Sequence, residues 1–302
     1  MEFESVLFAL PEGLEGWEAL SKRTGLSPAG LREALLALQA QGFPILLEEG
    51  GAGLALGAPA PQILAPLLRG SFGRAYRYFG VVTSTQDLLR AWRDAPSGAV
   101  VLAEAQLRGR GRLGRVWESP PGNLYFSVLL KNAGDPLLPF RAGLALAEAA
   151  QVGKLKWPND LLAPDGRKLG GILVEVEKER VFLGVGLNVS VAPIPESAAL
   201  QEFRRASRAQ LFADFLWSLE SWLEKENEAV LCAWLTKSMT IGQKVRVQTG
   251  KEAFVGVASA LGPQGELLVR TKEGTRAVFA GDVRLLRVLE DIENPKISEG
   301  QA

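Results

Sequence analysis

Four arginines and three glycines fall within Arg108-Gly109-Arg110-Gly111-Arg112-Leu113-Gly114-Arg115, with no acid among them and Val116-Trp117 following. Guanidinium groups so close repel one another unless an anion or acidic neighbours compensate them. Arginine forks match phosphate and carboxylate oxygens, and glycines let the backbone wrap closely round a ligand. The plain alternative is a solvated basic loop, which the interleaved glycines disfavour. Gly109, Gly111 and Gly114 also spell a dinucleotide-binding G-x-G-x-x-G, but that motif needs a helix directly after it. Here Pro120-Pro121-Gly122 prevents the helix. There is no Walker A motif, and a kinase glycine loop lacks its catalytic partner because the chain has no histidine.

A second group is Lys156-Trp157-Pro158-Asn159-Asp160, a strand end entering a turn, followed by Pro164-Asp165-Gly166 and then Arg167-Lys168-Leu169-Gly170-Gly171-Ile172-Leu173-Val174-Glu175. Pro-Asp-Gly is turn chemistry, so segments 156–157 and 172–176 are expected to pair as a hairpin that brings Asp160 and Lys168 to neighbouring ends. Either residue alone reads as an ordinary surface charge. The two glycines after Lys168 predict something packed closely on the backbone there. A third group, Gly184-Val185-Gly186-Leu187-Asn188-Val189, reads by itself as a strand whose glycines relieve packing.

The remaining composition narrows the chemistry. With no histidine, histidine triads, HExxH zinc sites and histidine pH switches are excluded, and the single Cys232 excludes an intramolecular disulfide framework. Any reaction must run on carboxylates, lysine, arginine, backbone amides or a hydroxyl. The 34 basic and 34 acidic side chains cancel, which argues against a chain coated in nucleic acid. A hydrophobic content of 47% over 302 residues excludes disordered and fibrous classes. At about 100 to 200 residues per domain, two or three compact domains are expected. Glu2 and Glu4 stand where a signal peptide would be basic, and the longest uncharged stretch, 50–68, is interrupted by glycines and prolines. No membrane association and a cytoplasmic location are therefore expected.

The elements that must position these groups divide into three modules. Helical periodicity over 3–10, 16–24 and 28–41, with Ser27 as N-cap and Gly25 as a helix stop, precedes two short apolar runs at 45–47 and 53–56. That outline, residues 1–66, is a winged helix-turn-helix. Residues 72–236 mix strands (99–104, 124–130, 154–157, 172–176, 181–187) with helices (84–92, 140–151 and one long helix over 208–236), predicting an α+β layer with a central mixed sheet and helices on one side. Residues 240–290 show period-2 runs at 244–249, 253–260, 266–272, 276–280 and 283–288, the pattern of a C-terminal SH3-like β-barrel. Residues 291–302 read as a polar tail.

Taken together and in this order, the motifs resemble the biotin protein ligases. Gly109 to Trp117 looks like that family's biotin and adenylate loop, Lys156 to Asp160 its KWPND element, Arg167 to Leu173 its R-K-[LV]-x-G-I-L, and Gly184 to Asn188 its G-x-G-x-N. The helix-turn-helix front and β-barrel tail match the bifunctional, repressor-bearing class, so the resemblance covers the chain end to end. It implies a catalytic fold like that of class II aminoacyl-tRNA synthetases, with biotin and ATP as substrates, Mg²⁺ accompanying ATP and no metal site built from protein alone. It also implies two half-reactions, formation of biotinyl-5′-adenylate and transfer of biotin to a lysine of the biotin carboxyl carrier protein of acetyl-CoA carboxylase. By resemblance, Arg110, Arg112 and Arg115 close over the adenylate, while Lys168 contacts the biotin carboxylate and α-phosphate. Asp160 serves the attacking amine. Ser84, Thr85 and Gln106, with backbone near Gly171 and Gly184, meet the ureido ring, and Gly109, Gly111, Trp117 and Asn188 complete the site. Gln86 stands where the family commonly has Asn, and the adenine contact is not identified.

The first half-reaction fits a chain without histidine, because a carboxylate is already ionised near neutral pH and needs cationic relief rather than a general base. The resemblance further implies a homodimer when the adenylate is bound, acting on operator DNA. Residues 1–70 oppose this with four basic against eight acidic side chains, a net −4, and the segment 28–41 carries only Arg32 and Glu33. Operator binding therefore stays open. Two rival readings remain, a lipoate ligase and a ligand-sensing transcriptional regulator without ligase activity, and the presence of both Lys168 and Asp160 speaks against the second.

Overall fold

The computed structural model describes residues 2–131, 134–250 and 252–286. The tail expected over 291–302, and the end of the strand expected over 283–288, lie outside these residues.

Helix α1 (Glu2–Ala9), the short strand β1 (Glu15–Gly16), and helices α2 (Trp17–Thr24) and α3 (Pro28–Ala40) open the chain. Gly25 ends α2 in the left-handed region, and Ser27 caps α3, its Oγ accepting from Gly30 N at 3.2 Å. Strands β2 (Ile45–Glu48) and β3 (Gly51–Leu54) form a hairpin that β1 extends to three strands. Leu31, Leu35 and Leu38 of α3 close a core of their own with Leu10, Leu20 and Leu54. The stretch after the hairpin holds α4 (Pro61–Leu64) and one 3-10 turn, and Leu64 is buried in the neighbouring core.

Strands β4 (Tyr76–Val82), β5 (Val100–Gln106), β6 (Leu124–Lys131), β7 (Lys154–Lys156), β8 (Asp160–Leu162), β9 (Lys168–Glu177) and β10 (Arg180–Leu187) form one mixed sheet in the order β4-β5-β6-β10-β9-β8-β7, with only β4 and β5 parallel. Helices α5 (Thr85–Ala91), α6 (Leu138–Ala150), α7 (Arg208–Leu223) and α8 (Asn227–Lys237) accompany it. Three expectations need correcting. The helices do not all lie on one side. Phe126, Val128 and Leu130 of β6 join the core formed by α6 and α7, whereas Leu129 packs with Leu89 of α5, Val101 and Phe182 on the opposite face. Both faces carry apolar side chains, so both need cover.

The long helix over 208–236 is two helices, α7 and α8. The polar run Glu224-Lys225-Glu226 interrupts it, and the buried Arg141 takes up the break, its Nη1 donating to the carbonyls of Trp222 and Lys225 at 2.6 Å each. The hairpin expected between 156–157 and 172–176 does not form either. Trp157 leaves the strand to donate Nε1 to Gly265 O at 2.9 Å, the chain reverses, and β8 inserts between β7 and β9.

The C-terminal strands β11 (Lys244–Gln248), β12 (Ala253–Leu261), β13 (Leu267–Thr271), β14 (Gly274–Val278) and β15 (Asp282–Leu285) make an antiparallel sheet in the order β14-β13-β12-β11-β15. Val245, Val247 and Val269 belong to the same apolar cluster as the central sheet, so the two sheets share a core. Among the described residues no helix is long and apolar enough to cross a membrane.

Candidate active site

Helix α5 is short and covers only part of its face of the sheet. What it leaves open is a cleft of about 300 Å³. Antiparallel register aligns Gly186 of β10, Gly171 of β9, Asp160 of β8 and Lys156 of β7 in one row. Residues opposite one another across a sheet share a face, so this row forms the cleft floor. The indole of Trp117 lies on its glycine end: a Cβ on Gly186 would stand 2.5 Å from the ring, and one on Gly171 would stand 3.1 Å from it. The close packing expected after Lys168 is this contact.

The glycine-arginine segment is itself a small hairpin. Arg110 bridges Val116, Gly111 N donates to Arg115 O at 2.8 Å, and Trp117 N donates to Gly109 O at 2.9 Å. Gly109 makes the turn into it and is not part of the cleft wall. A Cβ there would meet Trp117 O at 2.4 Å, so only glycine fits. The three arginines part company. Arg110 forks onto Asp87 at 2.8 Å through both terminal nitrogens, which holds the Asp87 carboxyl below the usual carboxylate range. Arg115 reaches the C-terminal sheet, pairing with Asp282 at 2.7 Å. Arg112 crosses the cleft and donates to Asn159 Oδ1 at 3.0 Å, and its burial lowers its pKa against the pull of Asp160.

At the β10 end stand Ser84 and Thr85, both buried at the start of α5. Thr85 donates its backbone N–H to Gln106 Oε1 at 2.9 Å, and its hydroxyl lies 2.9 Å from Ser127 Oγ. Gln106 in turn donates to Ser119 Oγ at 3.1 Å. Gln86 lies over Gly184 and donates to Phe182 O at 3.0 Å, so its side chain also serves to tie α5 to the sheet. Among the described residues, Trp117 Nε1 and Asn188 Oδ1 are buried and lack a hydrogen-bond partner, and both residues belong to the cleft wall.

The charged centre is Asp160. Its Oδ1 holds Lys168 Nζ at 2.7 Å, and its Oδ2 lies 3.8 Å from Lys156 Nζ. Burial pushes the Lys156 ammonium below the ordinary lysine pKa, with Asp160 opposing. Lys168 also stands 5.0 Å above the Trp117 ring. An apolar slot that ends in a cluster of cations suits a molecule with an uncharged ring at one end and an anionic group at the other.

The residues given individual site roles from the sequence therefore line this cleft, except Gly109, and Arg110 is already spent on Asp87. Lys156, Asn159, Asp87 and Asp282 carried no sequence-based role. The first two sit inside a recognised motif, and Asp87 lies on α5. Asp282 arrives from another sheet, and no local signal marks it.

Residues 78–191 match the family model described as biotin/lipoate A/B protein ligase family, and residues 240–286 match the biotin protein ligase C-terminal domain. The chain is 36% identical to a biotin–[acetyl-CoA-carboxylase] ligase of Mycobacterium tuberculosis, over 71% of this chain and 91% of that protein. It is 29% identical to the bifunctional ligase/repressor BirA of Escherichia coli, over 89% and 92%. Among solved structures, a biotin protein ligase from Aquifex aeolicus in complex with biotin and ATP superposes with a TM-score of 0.64 at 30% identity, covering 71% of this chain and 99% of that one.

Proposed function

The chain belongs to the biotin protein ligase family, and we propose that it forms biotinyl-5′-adenylate from biotin and ATP and passes the biotinyl group to a lysine of a biotin carboxyl carrier protein. One observation carries this reading: Lys168 and Asp160, paired at 2.7 Å, stand where an apolar glycine-floored slot meets the arginine hairpin. The ureido ring takes the end formed by Ser84, Thr85, Gln106 and Gly184, with Trp117 over the bicycle. Trp117 Nε1 and Asn188 Oδ1 are buried polar atoms of the cleft residues that the described residues leave without a partner.

In the first half-reaction a biotin carboxylate oxygen bonds to the α-phosphorus, the bond from that phosphorus to the bridging oxygen breaks, and pyrophosphate leaves with the electron pair. No proton moves. Lys168 and Arg112 offset the charge of the two anions brought together. Of the acids lining the cleft, Glu118, Asp160 and Asp282, the last two are each paired with a cation, and among the described residues no group of three or more His, Cys, Asp or Glu is arranged to hold a metal. In this reading Mg²⁺ accompanies ATP as part of the substrate. In the second half-reaction the carrier amine attacks the acyl carbon, the amide bond forms and AMP departs. A free lysine amine, with a pKa of about 10.4, is protonated near neutral pH, so it must first lose a proton, and Asp160 is the acceptor that orients it. Arg112, lying over the cleft, shields the mixed anhydride from water.

The finer architecture follows the same reading: a winged helix-turn-helix over 1–66, a catalytic module over 72–236 and an SH3-like barrel over 240–290, in a cytoplasmic protein that dimerises with adenylate bound. Operator binding has one observation in its favour, the match over 89% of this chain to a relative named ligase/repressor. The net charge of −4 over residues 1–70 makes the module a weak DNA ligand by itself.

The reading is tested by ATP-dependent transfer to a carrier domain, with biotin and lipoate compared and Lys168→Ala as the control. Biotin transfer that the variant abolishes is expected. Preference for lipoate, or equal transfer by the variant, refutes it.

A further inference from the structure

We infer that Lys156 is a further catalytic residue, which binds the β- and γ-phosphates of ATP and stabilises the pyrophosphate as it leaves. This deepens the ligase reading and rests on it.

Strand β7 alternates so that Leu155, 2% exposed, enters the core while Lys156 turns to the cleft. The Lys156 side chain is only 19% exposed, yet its Nζ makes no hydrogen bond among the described residues. The nearest acid, Asp160 Oδ2 at 3.8 Å, is beyond hydrogen-bond reach, and the other oxygen of that carboxylate is held by Lys168. Taking an ammonium out of water without a bonded partner is costly, so this position calls for an anion.

The register row says which anion. Crossing the cleft floor, the ring end lies at β10, the carboxylate-binding Lys168 springs from β9, and Lys156 stands on β7 in line with Gly171 and Asp160. At the spacing of neighbouring strands, Lys156 lies about 10 Å beyond Gly171. A ligand whose carboxylate meets an α-phosphate at Lys168 extends its remaining phosphates in that direction, toward Lys156 and Arg115. When the bond between the α-phosphorus and the bridging oxygen breaks, the electron pair settles on that oxygen of pyrophosphate. Lys156 donates hydrogen bonds to this group and keeps its proton. During amide formation pyrophosphate has gone, and Lys156 has no charge left to offset. A residue that only held Asp160 in place would act the other way, on the transfer step.

The full chain, with Lys156→Gln and Lys156→Arg, separates these roles when two steps are measured apart: adenylate formation from biotin and MgATP, and biotin transfer from added biotinyl-5′-adenylate. Lys156→Gln should slow adenylate formation about a hundredfold and weaken inhibition by inorganic pyrophosphate. Its transfer step should fall far less, by no more than a few-fold, and retained transfer also shows that the variant is folded. Lys156→Arg should recover most of the first step. Equal loss of both steps, loss of transfer alone, or an intact first step in Lys156→Gln would overturn the inference. A wild type that forms no adenylate overturns the ligase reading, and this inference with it.

Discussion

Arg112 is fastened across the cleft to Asn159, its Nη1 donating to Oδ1 at 3.0 Å, and Asn159 is itself pinned to the sheet by Nδ2 donating to Ile172 O at 2.7 Å. The arginine hairpin is thus anchored in three places, to α5 through Asp87, to the β7–β8 turn through Asn159 and to β15 through Asp282. The Arg112 contact ties the hairpin to the turn that carries Asp160, and the Arg115 contact ties it to the C-terminal sheet.

Replacing Arg112 by Gly should therefore loosen the cover without unfolding the chain. A hydrogen bond to a charged group contributes about 1.5–3 kcal/mol, so release of free biotinyl-5′-adenylate should rise roughly ten- to hundredfold, with weaker biotin retention. Counting adenylate in the filtrate during turnover measures this. Unchanged leakage and unchanged biotin affinity together would contradict the role given to the hairpin.

Gly186→Ala tests the floor. The new methyl would stand 2.5 Å from the Trp117 indole and must push it upward. Overpacking of this kind costs about 1–3 kcal/mol. Biotin affinity should fall roughly tenfold or more, with a changed tryptophan emission, while the far-ultraviolet spectrum stays the same. Native biotin affinity in the variant would show that the slot lies elsewhere.

Stability away from the cleft depends on Glu104, 1% exposed, whose Oε2 pairs with Arg208 at 2.6 Å and whose Oε1 accepts from Tyr78 at 2.5 Å. Glu104→Ala leaves Arg208 buried without its anion, which costs about 3–5 kcal/mol. Urea unfolding should register the loss. A change below about 1 kcal/mol would mean that water replaces the carboxylate there.

Much of this was readable in advance where the signal is local. Ser27 and Gly25 marked the ends of their helices, and the period-2 runs marked β11 to β15, because caps and alternation depend on near neighbours. Strand β4 leaves no clear sequence signal. It lies at the sheet edge, and its inward and outward residues do not alternate cleanly, since Tyr78 packs on Phe43 of the first module. Strand β8 leaves no sequence signal because three residues hold no period, and Trp157 continues the strand pattern although its indole is drawn to Gly265 from a distant turn. The cleft residues were named from motifs, yet the partners that give them their geometry, Asn159, Asp87 and Asp282, emerge only when strands far apart in sequence are brought together.

The pH dependence of the two half-reactions should differ. Burial lowers the Lys156 pKa below 10.5; Asp160 on β8 and Asp282 on β15 oppose this, while Lys168 on β9 and Arg115 of the hairpin reinforce it. Below its lowered pKa Lys156 is charged in both folded and unfolded chains, and the cost of burying that charge is fully present. As pH rises toward 10.5 the folded chain loses the proton first, so that cost is relieved while the cation itself is lost. Adenylate formation should therefore decline at a lower pH than an ordinary lysine would give, and Lys156→Arg should move the decline upward. Coincident alkaline limbs in wild type and Lys156→Arg would show that another group sets the limb.

The central claim is that this cleft makes and keeps an acyl-adenylate. Native mass spectrometry of the chain after incubation with biotin and MgATP measures it directly. One bound biotinyl-5′-adenylate per chain is predicted, with pyrophosphate released in equal amount and none of either in Lys168→Ala. A wild-type chain that carries only biotin or only ATP, or a Lys168→Ala chain that carries the adenylate equally well, would contradict it.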